Sequence, residues 1–207
     1  MELFASERFV SLYREIADIS GCLWQKGWAE RNAGNFSVNV TGFFTASEKE
    51  ILAIQQGSGT EQFFPGLSGQ VFLVSGSGKK MRETATAPAP NCCLVRFDEQ
   101  GSGRVVQLTE RQADRVNPTS ELYTHLLAQQ HFLDKEIDEK AFMHTHVTEL
   151  IALTQIREFC QEENLNHLLW GMHPETLIFI PEGIGFVSHS IPGTREIGKK
   201  TLDKLGN

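Results

Sequence analysis

Phe142-Met143-His144-Thr145-His146-Val147 sets two histidines one residue apart inside an apolar run. In a β-strand, side chains alternate faces with a period of two, so His144 and His146 project the same way, close enough to share one ion. Imidazole suits zinc and similar divalent metals, and a catalytic zinc site takes three protein ligands and keeps one position open. The same six residues also read as a plain polar-face strand pair. Just upstream, Asn117-Pro118-Thr119-Ser120-Glu121-Leu122-Tyr123 offers a carboxylate at what reads as a helix start.

Outward from this strand, the period of the sequence changes repeatedly. Phe9, Leu12, Tyr13, Ile16, Ile19, Leu23 and Trp24 recur at helical spacing and predict an amphipathic helix ending before Gly27. Asn35 to Val40 alternates like a half-buried strand. Residues 55–70 are polar and read as a surface excursion. Val71-Phe72-Leu73-Val74 is a short buried strand leading into Ser75-Gly76-Ser77-Gly78-Lys79. Asn91–Phe97 and Val105–Leu108 flank Asp98-Glu99-Gln100-Gly101-Ser102-Gly103, a hairpin signal. A helix is expected from Ser120 to about Leu133, capped by Ser120 or Thr119, and another from Glu149 to Phe159. Leu177–Ile180 and Ile184–Val187 read as a strand pair around Pro181-Glu182-Gly183. Helices mixed with hairpin-connected strands predict an α/β fold, a layered α/β/α domain with a central, largely antiparallel sheet.

The 207 residues are enough for one domain with a real core. A net charge of -7 argues against a general nucleic-acid binder, which needs a basic face, and leaves room for a small phosphorylated ligand. Glu2, Glu7, Arg8 and Glu15 interrupt any apolar stretch, so neither a signal peptide nor a membrane span is expected. The four cysteines, Cys22, Cys92, Cys93 and Cys160, lack Cys-x-x-Cys spacing. Adjacent Cys92 and Cys93 point to opposite faces of a strand and make poor disulfide partners. Reduced thiols and a cytoplasmic location follow as the expectation.

Three further segments carry chemistry. In Arg31-Asn32-Ala33-Gly34-Asn35, glycine permits close backbone approach and two amides can donate to an oxyanion, although a helix C-cap and turn has the same composition. Ser75-Gly76-Ser77-Gly78-Lys79 resembles an anion-cradling turn without matching a P-loop or a dinucleotide fingerprint. Thr119-Ser120-Glu121 places two hydroxyls and a carboxylate where a helix start attracts anions, and it equally suits an ordinary cap followed by a first-turn acid. His167, His173 and His189 read as polar surface, as do His125 and His131 on the helix after Glu121.

Taken in order, these segments resemble the class II (zinc-dependent) sugar-phosphate aldolases. The likeness runs through Lys26–Asn35, Val74–Lys79, Pro118–Leu122, His144-Thr145-His146 and Glu149–Thr154, and ends in Leu169-Trp170, Pro181–Gly185 and Ile191-Pro192-Gly193-Thr194. It spans nearly the whole chain, and the Trp28-Ala29-Glu30-Arg31-Asn32 segment with the late blocks favours the rhamnulose-1-phosphate branch over the fuculose-1-phosphate and ribulose-5-phosphate branches. Ala33 stands where the family usually has glycine.

The resemblance implies roles. His144 and His146 would be ligands of one Zn2+ per subunit, and Glu121 the catalytic acid/base. Asn32, Gly34, Asn35, Ser77, Thr119 and Ser120 would surround the phosphate. The implied reaction cleaves L-rhamnulose 1-phosphate to dihydroxyacetone phosphate and L-lactaldehyde through a metal-stabilised enediolate. The family's third zinc histidine comes from a late His-Gly motif that lies beyond Asn207, as do the family's closing strand and helices. A homotetramer is the implied assembly. Two other readings stay open: a non-catalytic aldolase-like domain that keeps sugar-phosphate or metal binding, and a related sugar-phosphate aldolase or epimerase.

Overall fold

The computed structural model describes residues 4–54, 58–109 and 115–205. Six strands, β1 (Asn35–Asn39), β2 (Gly59–Phe63), β3 (Val71–Ser75), β4 (Cys92–Phe97), β5 (Ser102–Gln107) and β6 (Ala141–His144), form one sheet in the order β2-β5-β4-β3-β1-β6. Every neighbouring pair is antiparallel. Around it lie α1 (Glu7–Gln25), α2 (Ala46–Ile54), α3 (Met81–Thr84), α4 (Leu122–Asp134), α5 (Thr148–Leu153), α6 (Glu162–Met172), α7 (Pro174–Phe179) and α8 (Arg195–Leu202).

Alternation along the central strands builds the layers. Val71 and Leu73 of β3, with Cys92 and Leu94 of β4, pack against Phe9 and Ile16 of α1 and Leu52 of α2. The intervening Phe72, Val74, Val95 and Phe97 face the other way, onto Leu122 and Leu126 of α4. With helices on both faces, all five residues of β3 are buried, which is why the segment reads as a continuous apolar run. The expected α/β/α arrangement around an antiparallel sheet is the fold observed. Cys92 and Cys93 do take opposite faces, and both are buried, unpaired thiols.

Several local expectations are corrected. Within the excursion read at 55–70, Gly59–Phe63 is an edge strand paired with β5, while residues 55–57 lie outside the described residues. Its exposure alternates and no residue of it is buried, so composition alone resembled a loop. The helix after Thr119 begins at Leu122, with Glu121 at the cap position; Thr119 Oγ1 accepts from Glu121 N at 3.3 Å. The strand carrying the two histidines stops at His144, and the helix read at 149–159 is α5 followed by a 3-10 turn at Arg157–Cys160.

The strand pair expected at 177–187 is absent. Leu177–Phe179 belongs to α7, which Pro174 opens with its preset φ. A four-residue apolar run has no period that separates strand from helix. Ile184 is held by a side chain instead of a ladder: its N–H donates to Asn166 Oδ1 at 2.7 Å and its carbonyl accepts from Asn166 Nδ2 at 3.1 Å. No helix among the described residues is long and apolar enough to cross a membrane.

Leu126 is fully buried and ties α4 to the sheet. Leu126→Ala is expected to cost roughly 2–5 kcal/mol, because the cavity adds to the lost transfer energy. Urea denaturation should then give a lower midpoint at an unchanged slope.

Candidate active site

The sheet's antiparallel pairing gathers chain ends at one place. β1 begins at Asn35, directly across from His144 at the end of β6. On its other side β3 ends at Ser75, whose Oγ accepts from Phe36 N at 2.9 Å. Gly76 then bridges to Pro118, Ser77 N donates to the Asn117 carbonyl at 2.8 Å and Thr119 N to the Ser75 carbonyl at 2.9 Å, so the start of α4 is clamped to the turn after β3. A Cβ on Gly76 would sit 2.4 Å from a Val116 methyl, so only glycine fits there.

These ends enclose a cleft of about 370 Å³. Asn32, Gly34, Asn35, Ser77, Thr119, Ser120, Glu121, His144 and His146, the residues singled out in the sequence, all line it. The turn before β1 is shaped by Arg31 at φ 53 and Gly34 at φ 85, whereas Ala33 avoids positive φ, which explains how alanine is accommodated. Pro192 and Ile197 add apolar lining to the cleft.

The histidine pair is held from outside the strand. Trp28 O accepts from His146 N at 2.8 Å and from Thr145 Oγ1 at 2.5 Å, binding the segment after α1 to the His-x-His run. The His144 and His146 ring centroids lie 5.1 Å apart. Glu121 Oε2 is 3.5 Å from His144 Nδ1, and Glu30 Oε1 is 2.9 Å from His146 Nδ1. Burial, more than any neighbour, holds His144 below the ordinary imidazole value; Glu121 opposes the shift and His146 adds to it. The hydrogen bond from His146 lowers the pKa of Glu30.

Neutral imidazole is the form that binds a divalent ion. A carboxylate on the far ring nitrogen, as Glu30 provides for His146, is the support that metal-bound histidines commonly have. The pair therefore fits as two ligands of a divalent metal, although no group of three or more His, Cys, Asp or Glu with metal-holding geometry occurs among the described residues.

Two features went unread in the sequence. Glu30 and Arg31 line the cleft; they stood inside the quoted Lys26–Asn35 segment, but nothing in their spacing to His146 revealed the contact across the chain. His125 is not polar surface: it is fully buried on the inner face of α4. Its Nε2 lies 2.5 Å from Asn35 Oδ1 and its Nδ1 3.1 Å from Ser37 Oγ. The i, i+4 spacing of His125 and Gln129, facing Asn35 and Ser37 on β1, was the available signal. His167, His173 and His189 are exposed as expected.

Comparison with known proteins finds relatives over most of the chain. The model of the class II aldolase and adducin N-terminal domain matches residues 14–207. A rhamnulose-1-phosphate aldolase of Bacteroides thetaiotaomicron is 37% identical over 191 residues, 92% of this chain and 70% of the relative. One of Listeria monocytogenes is 35% identical over 198 residues, 93% of this chain and 69% of the relative. The crystal structure of a sugar-phosphate aldolase from Thermotoga maritima superposes with a TM-score of 0.72 at 29% identity, covering 95% of this chain and 78% of that one.

Burial, reinforced by the nearby charge of His144, pulls the His125 pKa down to about 3. The unfolded chain's imidazole titrates near ~6.5, so unfolding takes up a proton between the two values. The stability that neutral His125 confers is whole above about pH 6.5 and is lost as pH falls toward the folded value. Urea unfolding at about pH 7 and about pH 4.5 should show a smaller loss in His125→Gln than in wild type. Equal losses would mean that His125 is not buried as a neutral group.

Proposed function

The chain belongs to the class II aldolase and adducin N-terminal-domain family and is an aldolase within it, and from that premise we propose that it cleaves L-rhamnulose 1-phosphate to dihydroxyacetone phosphate and L-lactaldehyde. The observation that carries this reading is the meeting of one carboxylate, two imidazoles and three amide- or hydroxyl-bearing chain ends in a single cleft.

In this reading the phosphate lies among the amides of Asn32 and Asn35, the backbone at Gly34 and the hydroxyls of Ser77, Thr119 and Ser120. The start of α4 adds the positive end of a helix dipole. Arg31 also lines the cleft and carries a guanidinium, a group suited to phosphate. Contacts remote from the breaking bond fix the three-carbon unit, which lowers the entropic cost of reaction.

His144 and His146 would hold a divalent ion, zinc by the chemistry of its ligands, and when bound it supplies Lewis-acid polarisation of the substrate oxygens. Glu121 stands beside His144 and is the group placed to move a proton. As the carbon–carbon bond breaks, the hydroxyl on the departing carbon gives up its proton to solvent and becomes the aldehyde carbonyl. The electron pair is drawn toward the neighbouring ketone, and Glu121 in its carboxylic-acid form delivers a proton to the carbon left behind, so that protons lost and gained cancel. In condensation it removes the same proton. The partly buried setting of Glu121, with 19% of its side chain exposed, limits competition from water.

The same reading expects a homo-oligomer. It is supported by the exposed apolar side chains of Ile178 at 73% and Phe179 at 78%, neighbours on α7, and of Ile191 at 70%, since apolar surface left in water favours association. Light scattering of the purified protein should give a mass that is a multiple of the protomer's, and a monomer at all concentrations would remove this part.

Activity is tested by incubating the protein with L-rhamnulose 1-phosphate and zinc, then trapping dihydroxyacetone phosphate by coupled reduction. Glu121→Gln is expected to lower turnover by roughly a hundredfold or more while metal content is kept. An unchanged rate would take the acid/base role away from Glu121, and absence of product from wild type would overturn the substrate assignment.

A further inference from the structure

Beneath the cleft runs a chain of buried polar groups whose directions can be worked out one by one. Gln129 is fully buried, and its Nε2 donates to the carbonyls of Ser37 at 3.2 Å and Lys140 at 3.2 Å, and to Ser37 Oγ at 3.0 Å. A backbone carbonyl only accepts, so these two oxygens fix which end of the Gln129 amide faces β1. Gln129 has two N–H groups for these three oxygens, one for the Lys140 carbonyl and one shared between Ser37 O and Oγ. Ser37 Oγ turns its own proton to His125 Nδ1, 3.1 Å away. With Nδ1 an acceptor, the proton of the neutral ring sits on Nε2 and is donated to Asn35 Oδ1. That leaves the Asn35 amide with its N–H₂ end toward Glu121, where Nδ2 is 3.4 Å from Oε2.

The geometry points to His125 as a positioning residue: through its Nε2–H it locks the Asn35 amide so that an N–H, never the carbonyl oxygen, faces the Glu121 carboxylate. This rests on the proposed role of Glu121. An unlocked amide can turn over and set Oδ1 against the carboxylate, two acceptors facing one another, which misdirects the group that must reach the substrate carbon. The lock is well shielded. His125 has no exposed surface, and the Phe142 ring meets it edge-on with centroids 5.1 Å apart. One N–H of Asn35 serves Glu121, and the other remains for the ligand in the cleft.

Two measurements test this. The first is the His125 tautomer, read from long-range nitrogen-15 spectra of the histidine-labelled protein, with the signal identified by its loss in His125→Gln. The expected result is a protonated Nε2 and an unprotonated Nδ1; a protonated Nδ1, or a ring exchanging between tautomers, overturns the lock.

The second compares kcat and KM for L-rhamnulose 1-phosphate in two variants. His125→Gln keeps an N–H donor close to the Nε2 position, whereas His125→Phe keeps the ring and removes the donor. His125→Gln should stay within roughly threefold of wild-type kcat, and His125→Phe should lose roughly tenfold to a hundredfold in kcat with KM little changed. Full activity in His125→Phe overturns the proposal. So does an equal loss in both variants at matched melting temperature, which would make the imidazole a packing element only. If His125→Phe does not fold, the tautomer and His125→Gln decide. If wild type releases no product, the aldolase reading has failed separately, and the tautomer alone decides the lock.

Discussion

The register of β1 is the constraint on which the site depends. Lying between β3 and β6, β1 sets Asn35 opposite His144 and Ser37 opposite Val74. Because side chains alternate, Asn35 and Ser37 look toward α4 while Phe36 joins the apolar cluster beneath α1. A slip of one residue would send Phe36 into the polar layer and bury Asn35 and Ser37 among Phe9, Ile16 and Leu73. Cleft and core are thus specified by the same pairing: the apolar side chains that forbid the slip also hold the Asn35 amide beneath Glu121.

The same register explains what was legible in the sequence. β3 and the β4–β5 hairpin could be read because both faces of the central strands are covered and Asp98 to Gly103 carries strong turn chemistry. Asp98 Oδ1 accepts from the N–H groups of Gln100 at 3.0 Å and Ser102 at 2.8 Å, closing that turn as its composition suggests. β2 was not legible, because an edge strand buries little and Gly59-Thr60-Glu61-Gln62-Phe63 carries no apolar alternation. Residues 177–187 failed for the opposite reason: their apolar runs are real, but too short for a period, and Pro174 and Asn166 decide the backbone locally.

For the site, residues that announce themselves by type were found, and residues that matter through a partner were not. Eight of the cleft-lining side chains were recognisable as amides, hydroxyls, a carboxylate and imidazoles set in turn or strand-end contexts, with Gly34 among them as a backbone position. Glu30 meets His146 across 116 positions of sequence, and His125 meets Asn35 across 90. Neither separation leaves a local trace. His125 was open to a sharper reading, since polar residues spaced i, i+4 on a helix that also carries Leu122 and Leu126 share a face with the core.

The two histidine settings divide structural labour. His146 and Glu30 are substantially exposed, at 39% and 58% of their side chains, so their contact is screened by water and contributes little to stability by itself. His125 and Gln129 are sealed, and a buried donor or acceptor left without a partner costs roughly 1–3 kcal/mol. The Gln129 Nε2, Ser37 Oγ and both His125 ring nitrogens each have one, and a reversal at any link would set acceptor against acceptor or donor against donor. The backbone carbonyls of Ser37 and Lys140, themselves fixed by the sheet and its approach to α4, therefore reach the cleft as a preferred amide orientation. The sheet's hydrogen-bond geometry is carried through side chains to the carboxylate at the start of α4, so rigidity in the fold becomes direction in the site.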